Sequence, residues 1–430
     1  MINKIAHTLG SRFIVAIFNL VLLFITTRIM GAEMKGLISL FILNLSLTSI
    51  ISGFIGGPAI VYLAPRQSIG KIFSVNIVWI LITVSLTSIV LLQLGMMTSI
   101  EPIRFFRLAF MECLIVTLSM VLLGREKITT HNIIQVVKVA TSVVLLAVFL
   151  KVNDDDFLSF LNAYEISLLI TAVLSIIYSF KFLKPNGISS WVQTLASGFR
   201  LGSIVQTGNL AQLLNYRIGY YVLEMVISPI EIALIRIGIF SASLQIAEAL
   251  WQFTRSVNTV QYASISNIQN RSQALILSLK LVRMNYAVTA IGIIFLLLIP
   301  SDFYGFAFGS EFSEIKTHFM ILSPGILALA FGGGVNHYFA GLGEHRYNTT
   351  STIVGLSVSI AIIIPLTKIL GTHGAALTAS IVYCVQAICQ VYFLYKQDGI
   401  RPSAFYLTNQ DWNSVKSLLT RLWNRKLEDI

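Results

Sequence analysis

The chain has 430 residues, of which 56% are hydrophobic and only 11% charged, and a formal net charge of +11. A soluble domain carries about 25% charged residues, so a soluble fold of this size could not clothe its surface, and lipid must cover it instead. The basic residues are scattered in short groups between apolar runs rather than gathered on one face, which excludes a nucleic-acid footprint.

A membrane-spanning helix needs about 20 mostly apolar residues. About twelve runs meet that length. They are predicted at Ser11–Met30, Gly36–Leu63, Ser74–Gly95, Phe105–Gly124, Asn132–Leu150 and Phe160–Phe180, then at Leu201–Met225, Glu231–Tyr262, Leu281–Pro300, Thr317–Ala340, Thr349–Lys368 and Thr372–Tyr395. The expected fold is therefore an all-α polytopic membrane protein. The first run has neither the short core nor the small-residue cleavage site of a signal peptide, and reads as the first span. Connections are short throughout. Two six-span halves are expected at 1–190 and 191–398, with a tail at 399–430 in which Trp412, Val415, Leu418, Leu419, Leu422 and Trp423 recur at helical spacing among basic residues. Such a tail suits an interfacial helix lying on anionic lipid headgroups, or one packed on the end of the bundle.

With twelve spans, roughly 20 of the 30 Lys and Arg residues fall in the termini and even-numbered connections, and roughly 7 in the odd ones, Lys35 among them. The bias puts both termini in the cytoplasm. An internal repeat is visible in LLGREKITTHN from Leu122 and GLGEHRYNTT from Gly341, with Gly124 and Gly343 in equivalent places. Six spans followed by six in the same orientation imply parallel repeats with the substrate path between the halves.

Charges inside spans face protein or water, because lipid exposure costs about 2.5–3.5 kcal/mol each. The seventh span is the least apolar: Gln206, Asn209, Arg217, Tyr220 and Glu224 fall close to one face. The eighth carries an unbroken polar stripe of Ser241, Gln245, Glu248, Gln252, Arg255 and Thr259. In the first, Arg12, Asn19 and Thr26 recur every seventh residue. These stripes predict a hydrophilic cavity lined by spans one, seven and eight. Asn19, Gln206, Asn209, Gln245, Gln252 and Arg255 are its expected polar lining. Arg217, Arg236 and Lys138 are the deepest cations. They are candidates either to hold an anionic substrate or to pair with Glu248, Glu112 or Glu165. Gly332, Gly333 and Gly334 in the tenth span suit either a broken helix or close packing.

Chemistry-bearing motifs are absent. There is no GxxxxGK[ST], HExxH or GxSxG, and Cys113, Cys384 and Cys389 have no zinc or disulfide spacing. Asp154–Asp156 is the single acidic run and reads as a solvated turn. No cofactor, metal site or enzymatic activity is expected.

The chain resembles the polysaccharide flippase branch of the multidrug/oligosaccharidyl-lipid/polysaccharide exporter superfamily, the O-antigen (Wzx-type) flippases. TRIMGAEMKGLISLF matches the turn Arg-x-x-Gly-x-Glu-x-x-Gly through Arg28, Gly31, Glu33 and Gly36. LLGREKITTHN and GLGEHRYNTT are similar to the turns opening spans five and eleven. IIIPLTKILGTHGAALTASI resembles a Pro followed by Gly-x-x-Gly-Ala-Ala, at Pro365, Gly371, Gly374, Ala375 and Ala376. The chain departs from the pattern at Ile38 and Ile235, where the family has Tyr, and around Ala263, where it has Pro. The resemblance implies two six-helix lobes forming a V in the bacterial inner membrane. It implies alternating-access transport of an undecaprenyl-diphosphate-linked oligosaccharide, with pathway polymerase and glycosyltransferases as partners. Arg217, Arg236 and Lys138 would then hold the diphosphate, and Glu248 or Glu112 would couple an ion or proton. The alternatives are a MATE-type drug or cation antiporter and, from another class, a polytopic polymerase or glycosyltransferase.

Overall fold

The computed structural model describes residues 2–64, 68–96, 100–183, 191–268 and 270–406. The first half of the chain forms α1 (Ile2–Phe24), α2 (Gly31–Gly56), the short α3 (Pro58–Leu63), α4 (Ile69–Gln93), α5 (Pro102–Gly124), α6 (Ile128–Phe149) and α7 (Asp156–Ser179). The second forms α8 (Trp191–Val226), α9 (Ile230–Ile265), α10 (Arg271–Leu298), the short α11 (Ser301–Phe308), α12 (Ile315–Gly341), α13 (His345–Leu370) and α14 (Thr372–Asp398). A π-helical turn at Ile25–Ile29 ends α1. The amphipathic helix expected around Trp412–Trp423 lies outside the described residues.

Among the described residues, eleven helices are long and apolar enough to cross a membrane. The remaining long helix, α8, has 36 residues but fails on apolarity. It is the seventh predicted span, the least apolar in the sequence. The chain is thus an all-α, multi-pass membrane protein. Helix starts follow local chemistry. The Asp155 carboxylate accepts from Leu158 N–H at 2.9 Å and caps α7, so the Asp154–Asp156 run is a helix start, with Asp156 its first residue, rather than a turn. Asn270 caps α10 through Ser272 N–H at 2.9 Å, and Pro102 and Pro58 occupy first-turn positions where no N–H is needed.

The turns after α5 and α12 share one local geometry, in a different register from the one the motifs suggested. After α5, Lys127 N–H donates to Leu122 O at 2.8 Å and Glu126 N–H to Leu123 O at 2.9 Å. After α12, Glu344 N–H donates to Phe339 O at 2.8 Å and Gly343 N–H to Ala340 O at 3.0 Å. Both are the same two-bond C-terminal cap. Gly124 therefore corresponds to Gly341, and the left-handed residues are Glu126 (φ 57°) and Gly343 (φ 78°).

Within the first half α6 packs on α1 and α7, and α5 on α2, α4 and α7; within the second, α14 packs on α12 and α13, α9 and α10 on α12, and α8 on α13. The halves meet chiefly where α2 crosses α8 and α9. That crossing is backbone on backbone. A Cβ on Gly36 would overlap the Leu234 carbonyl, one on Gly238 the Ala32 carbonyl, and one on Gly202 the Phe54 carbonyl. α12 runs unbroken through Gly332–Gly334. These glycines let Gln390 of α14, Asn258 of α9 and Val282 of α10 approach, so their role is close packing.

Gly36→Val should lower the thermal stability of the purified protein by about 1–3 kcal/mol through overpacking. Gly10→Ala, at a position where a Cβ meets nothing, should leave it unchanged or slightly raised. Equal melting of both variants would contradict the crossing.

Candidate functional site

A cavity of about 450 Å³ lies between the halves, lined from α1, α2, α6, α7, α8 and α9. α1 contributes Asn19, the π-helical turn after it Thr26, α2 Lys35 and Ser39, α6 Lys138 and Ser142, α7 Tyr164, α8 Arg217 and Tyr220, and α9 Gln245 and Glu248. Asn19 and Leu20 line it and are exposed, so it opens to the outside of the molecule along α1.

The cations are held in distinct ways. Lys138 Nζ lies 2.6 Å from both carboxylate oxygens of Glu112 on α5. Tyr164 Oη donates to the same carboxylate at 3.3 Å. Arg217 donates from Nη2 to Glu248 Oε1 at 2.6 Å and from Nη1 to Tyr220 Oη at 3.0 Å. Each pair lies within one half of the chain. Lys35 differs: its Nζ donates to the Gln245 side-chain oxygen at 3.2 Å, across the α2–α9 seam. Among the described residues no carboxylate stands within salt-bridge distance of it.

One end of the cavity is sealed. Leu23 and Ala32 of the first half pack with Ile239, Ala242, Ile246, Tyr304, Phe312 and Ile315 of the second. The Glu311 carboxylate accepts from Ala32 N–H at 3.0 Å, and Ser39 Oγ donates to Ser241 Oγ at 2.8 Å.

The structure thus brings Asn19, Lys138, Arg217, Gln245 and Glu248 to one cavity, with Glu112 directly behind Lys138. It does not bring Arg236 there. Arg236 pairs with both oxygens of Glu314 at 2.8 Å and is about 40% exposed, because it projects from the face of α9 that meets the α11–α12 connection. Gln206 is buried against Gly53 and Gly57 and accepts from Asn209 Nδ2 at 2.5 Å. It serves the α2–α8 crossing rather than the cavity wall, and Asn209 beside it is exposed. The side chains of Gln252 and Arg255 lie outside the described residues. Glu165 bridges Arg104 and Arg107 instead of any cavity cation. Lys35, Ser39 and Tyr164 escaped the sequence reading. Lys35 was assigned to the first connection, but α2 begins at Gly31 and buries it to 4% exposure. Its spacing to Ser39 and Ser46, four and then seven residues on, is the helical stripe that would have revealed it.

No protein-family model and no curated protein matches the chain. Solved structures do. The fold is that of the MOP-superfamily transporters. An inward-facing multidrug-resistance MATE transporter of that superfamily matches with a TM-score of 0.67 at 13% identity, covering 92% of this chain and 99% of its own. The eukaryotic MATE transporter AtDTX14 matches with 0.66 at 14%, covering 92% and 96%. A MOP-superfamily transporter from Pyrococcus furiosus, whose binding pocket of reverse polarity suggests a different function, matches with 0.63 at 15%, covering 91% and 94%.

Removing one member of the pair behind the cavity wall strands its partner. In a double-mutant cycle, Lys138→Met and Glu112→Gln should each destabilise the protein, and together show a coupling of about 2 kcal/mol in thermal unfolding. Additive losses would mean that the pair carries no interaction.

Proposed function

We propose that the chain is an alternating-access transporter of an anionic, lipid-linked oligosaccharide, of the undecaprenyl-diphosphate kind, for surface polysaccharide assembly. One observation carries this reading: three cations, Lys35, Lys138 and Arg217, line the cavity against a single lining carboxylate, Glu248. A diphosphate would accept charge-assisted hydrogen bonds from them, the sugars would meet Asn19, Ser39, Tyr164 and Gln245, and the prenyl tail would stay in lipid. The motifs resembling polysaccharide flippases support the same cargo. The fold supports the mechanism, since a cavity between two halves, sealed at one end and open along α1, is one arrangement of an alternating-access cycle.

The Lys and Arg bias favours termini in the cytoplasm and the sealed Gly31 end outside, and the flippase resemblance implies the inner membrane of a bacterium. A pathway polymerase and glycosyltransferases would be the functional partners. When cargo takes over Arg217 or Lys138, Glu248 or Glu112 loses its counter-charge and becomes the group to bind a proton or cation.

A second reading has its own observation. Glu248 lines the cavity, and a MATE-type antiporter would use such a carboxylate for a cationic drug. The two cargoes separate in one experiment. In the host strain, Lys138→Gln combined with Arg217→Gln should reduce surface polysaccharide at least about tenfold at normal protein level, leaving resistance to cationic drugs unchanged. Unchanged polysaccharide together with altered drug resistance would overturn the flippase reading in favour of the antiporter.

A further inference from the structure

We propose that Lys35 is a latch that couples the seal at the Gly31 end to the presence of an anion in the cavity. This assignment rests on the anionic-cargo reading and adds to it how the cargo is sensed.

Lys35 stands beside Gly36, where α2 crosses α9 without room for a Cβ. Its ammonium donates to Gln245 on the other half at 3.2 Å. Near it the crossing carries one hydroxyl pair, Ser39 to Ser241, and the bond from Ala32 N–H to Glu311. Lys35 therefore supplies a cationic donor to a stretch of seam where the Ser39 hydroxyl and the Ala32 N–H donate as neutral groups. It also lines the cavity, within electrostatic reach of Arg217 and Glu248.

The cavity cations are not equivalent. Lys138 and Arg217 are already neutralised by Glu112 and Glu248. Among the described residues, Lys35 is matched only by a neutral amide. A phosphate oxygen makes a charge-assisted bond roughly twice as strong as a neutral one, and the flexible four-carbon stem of lysine can swing to reach it. An anion entering the cavity competes with Gln245 for Lys35 more easily than with either carboxylate for its partner. Once Lys35 turns inward, the seam loses its charged donor. Because an anion binds better where Lys35 is free of Gln245, its binding shifts the population toward the state in which α2 and α9 have parted.

The test uses the full-length protein in nanodiscs, with inorganic pyrophosphate as the probe. Spin labels at Ile103→Cys and Ile369→Cys report the separation of the halves. Both positions are exposed, at the ends of α5 and α13 that lie on the Gly31 side. Cys384 and Cys389 are replaced by alanine, while Cys113 is buried. Pyrophosphate binding is measured separately by equilibrium dialysis. Pyrophosphate should lengthen the label distance in the Lys35 protein. Lys35→Gln should bind it about tenfold more weakly and show no lengthening. Gln245→Leu, which keeps the cation and removes its partner, should show the longer distance without pyrophosphate. Equal lengthening in Lys35→Gln, binding without lengthening in the Lys35 protein, or a Gln245→Leu protein that stays closed would each overturn the latch and leave the anionic-cargo reading intact. Failure of pyrophosphate to bind the Lys35 protein at all would remove both.

Discussion

A charge carried into a bilayer must bring its own compensation, and how this chain arranges that compensation organises the rest of the structure. Lys138 is neutralised by Glu112 within the first half, and Arg217 by Glu248 within the second. Neither pair spans the seam. Parting the halves would therefore leave both of these carboxylates with their counter-ions, where stripping them in a low-dielectric environment would be prohibitive. What crosses the seam near the sealed end is cheaper to break: an ammonium on an amide, two hydroxyls, and one carboxylate on a backbone N–H.

The same logic explains α2. It packs on both halves, touching α4 and α5 on one side and α8 and α9 on the other. Glycine makes this possible. Gly36 and Gly238 bring two backbones together near the sealed end, and Gly202 does so against the Phe54 carbonyl toward the opposite end, where Gly53 and Gly57 make room for the Gln206 side chain. Close backbone approach gives van der Waals contact without interlocked side chains, which is how helices associate where no hydrophobic force separates protein from solvent. A seam built in this way can be dense and still separable.

The fold was largely legible in the sequence, because membrane spans are written in length and apolarity and those are local properties. All twelve runs became long helices, and the polarity of the seventh was visible as a deficit in α8. The cavity was legible where a stripe ran along a single helix, as with Gln245 and Glu248 on α9. It was not legible where the decisive neighbour came from another helix. Arg236 and Arg217 look alike in sequence, yet one faces Glu314 at the bundle surface and the other the cavity, a difference set by the rotation of α8 and α9 about their axes. Lys35 was hidden by its position at a helix start, where a basic residue is ordinarily solvated. The likeness of the two turns was visible, but their register depended on which residue takes the left-handed conformation. Glutamate at 126 obscures what glycine at 343 announces.

The polarity of α8 has a further consequence for how the protein is made. A helix carrying Gln206, Asn209, Gln212, Asn215, Arg217 and Glu224 partitions poorly into lipid on its own. Its polar groups meet segments synthesised both before it and after it: Gly53 of α2 and Gly57 just beyond it make room for Gln206, Asn215 reaches Thr352 of α13, and Arg217 reaches Glu248 of α9. The transmembrane residence of α8 is thus a tertiary property. Of the helices that supply those partners, α2 precedes it in the chain and α9 and α13 follow it.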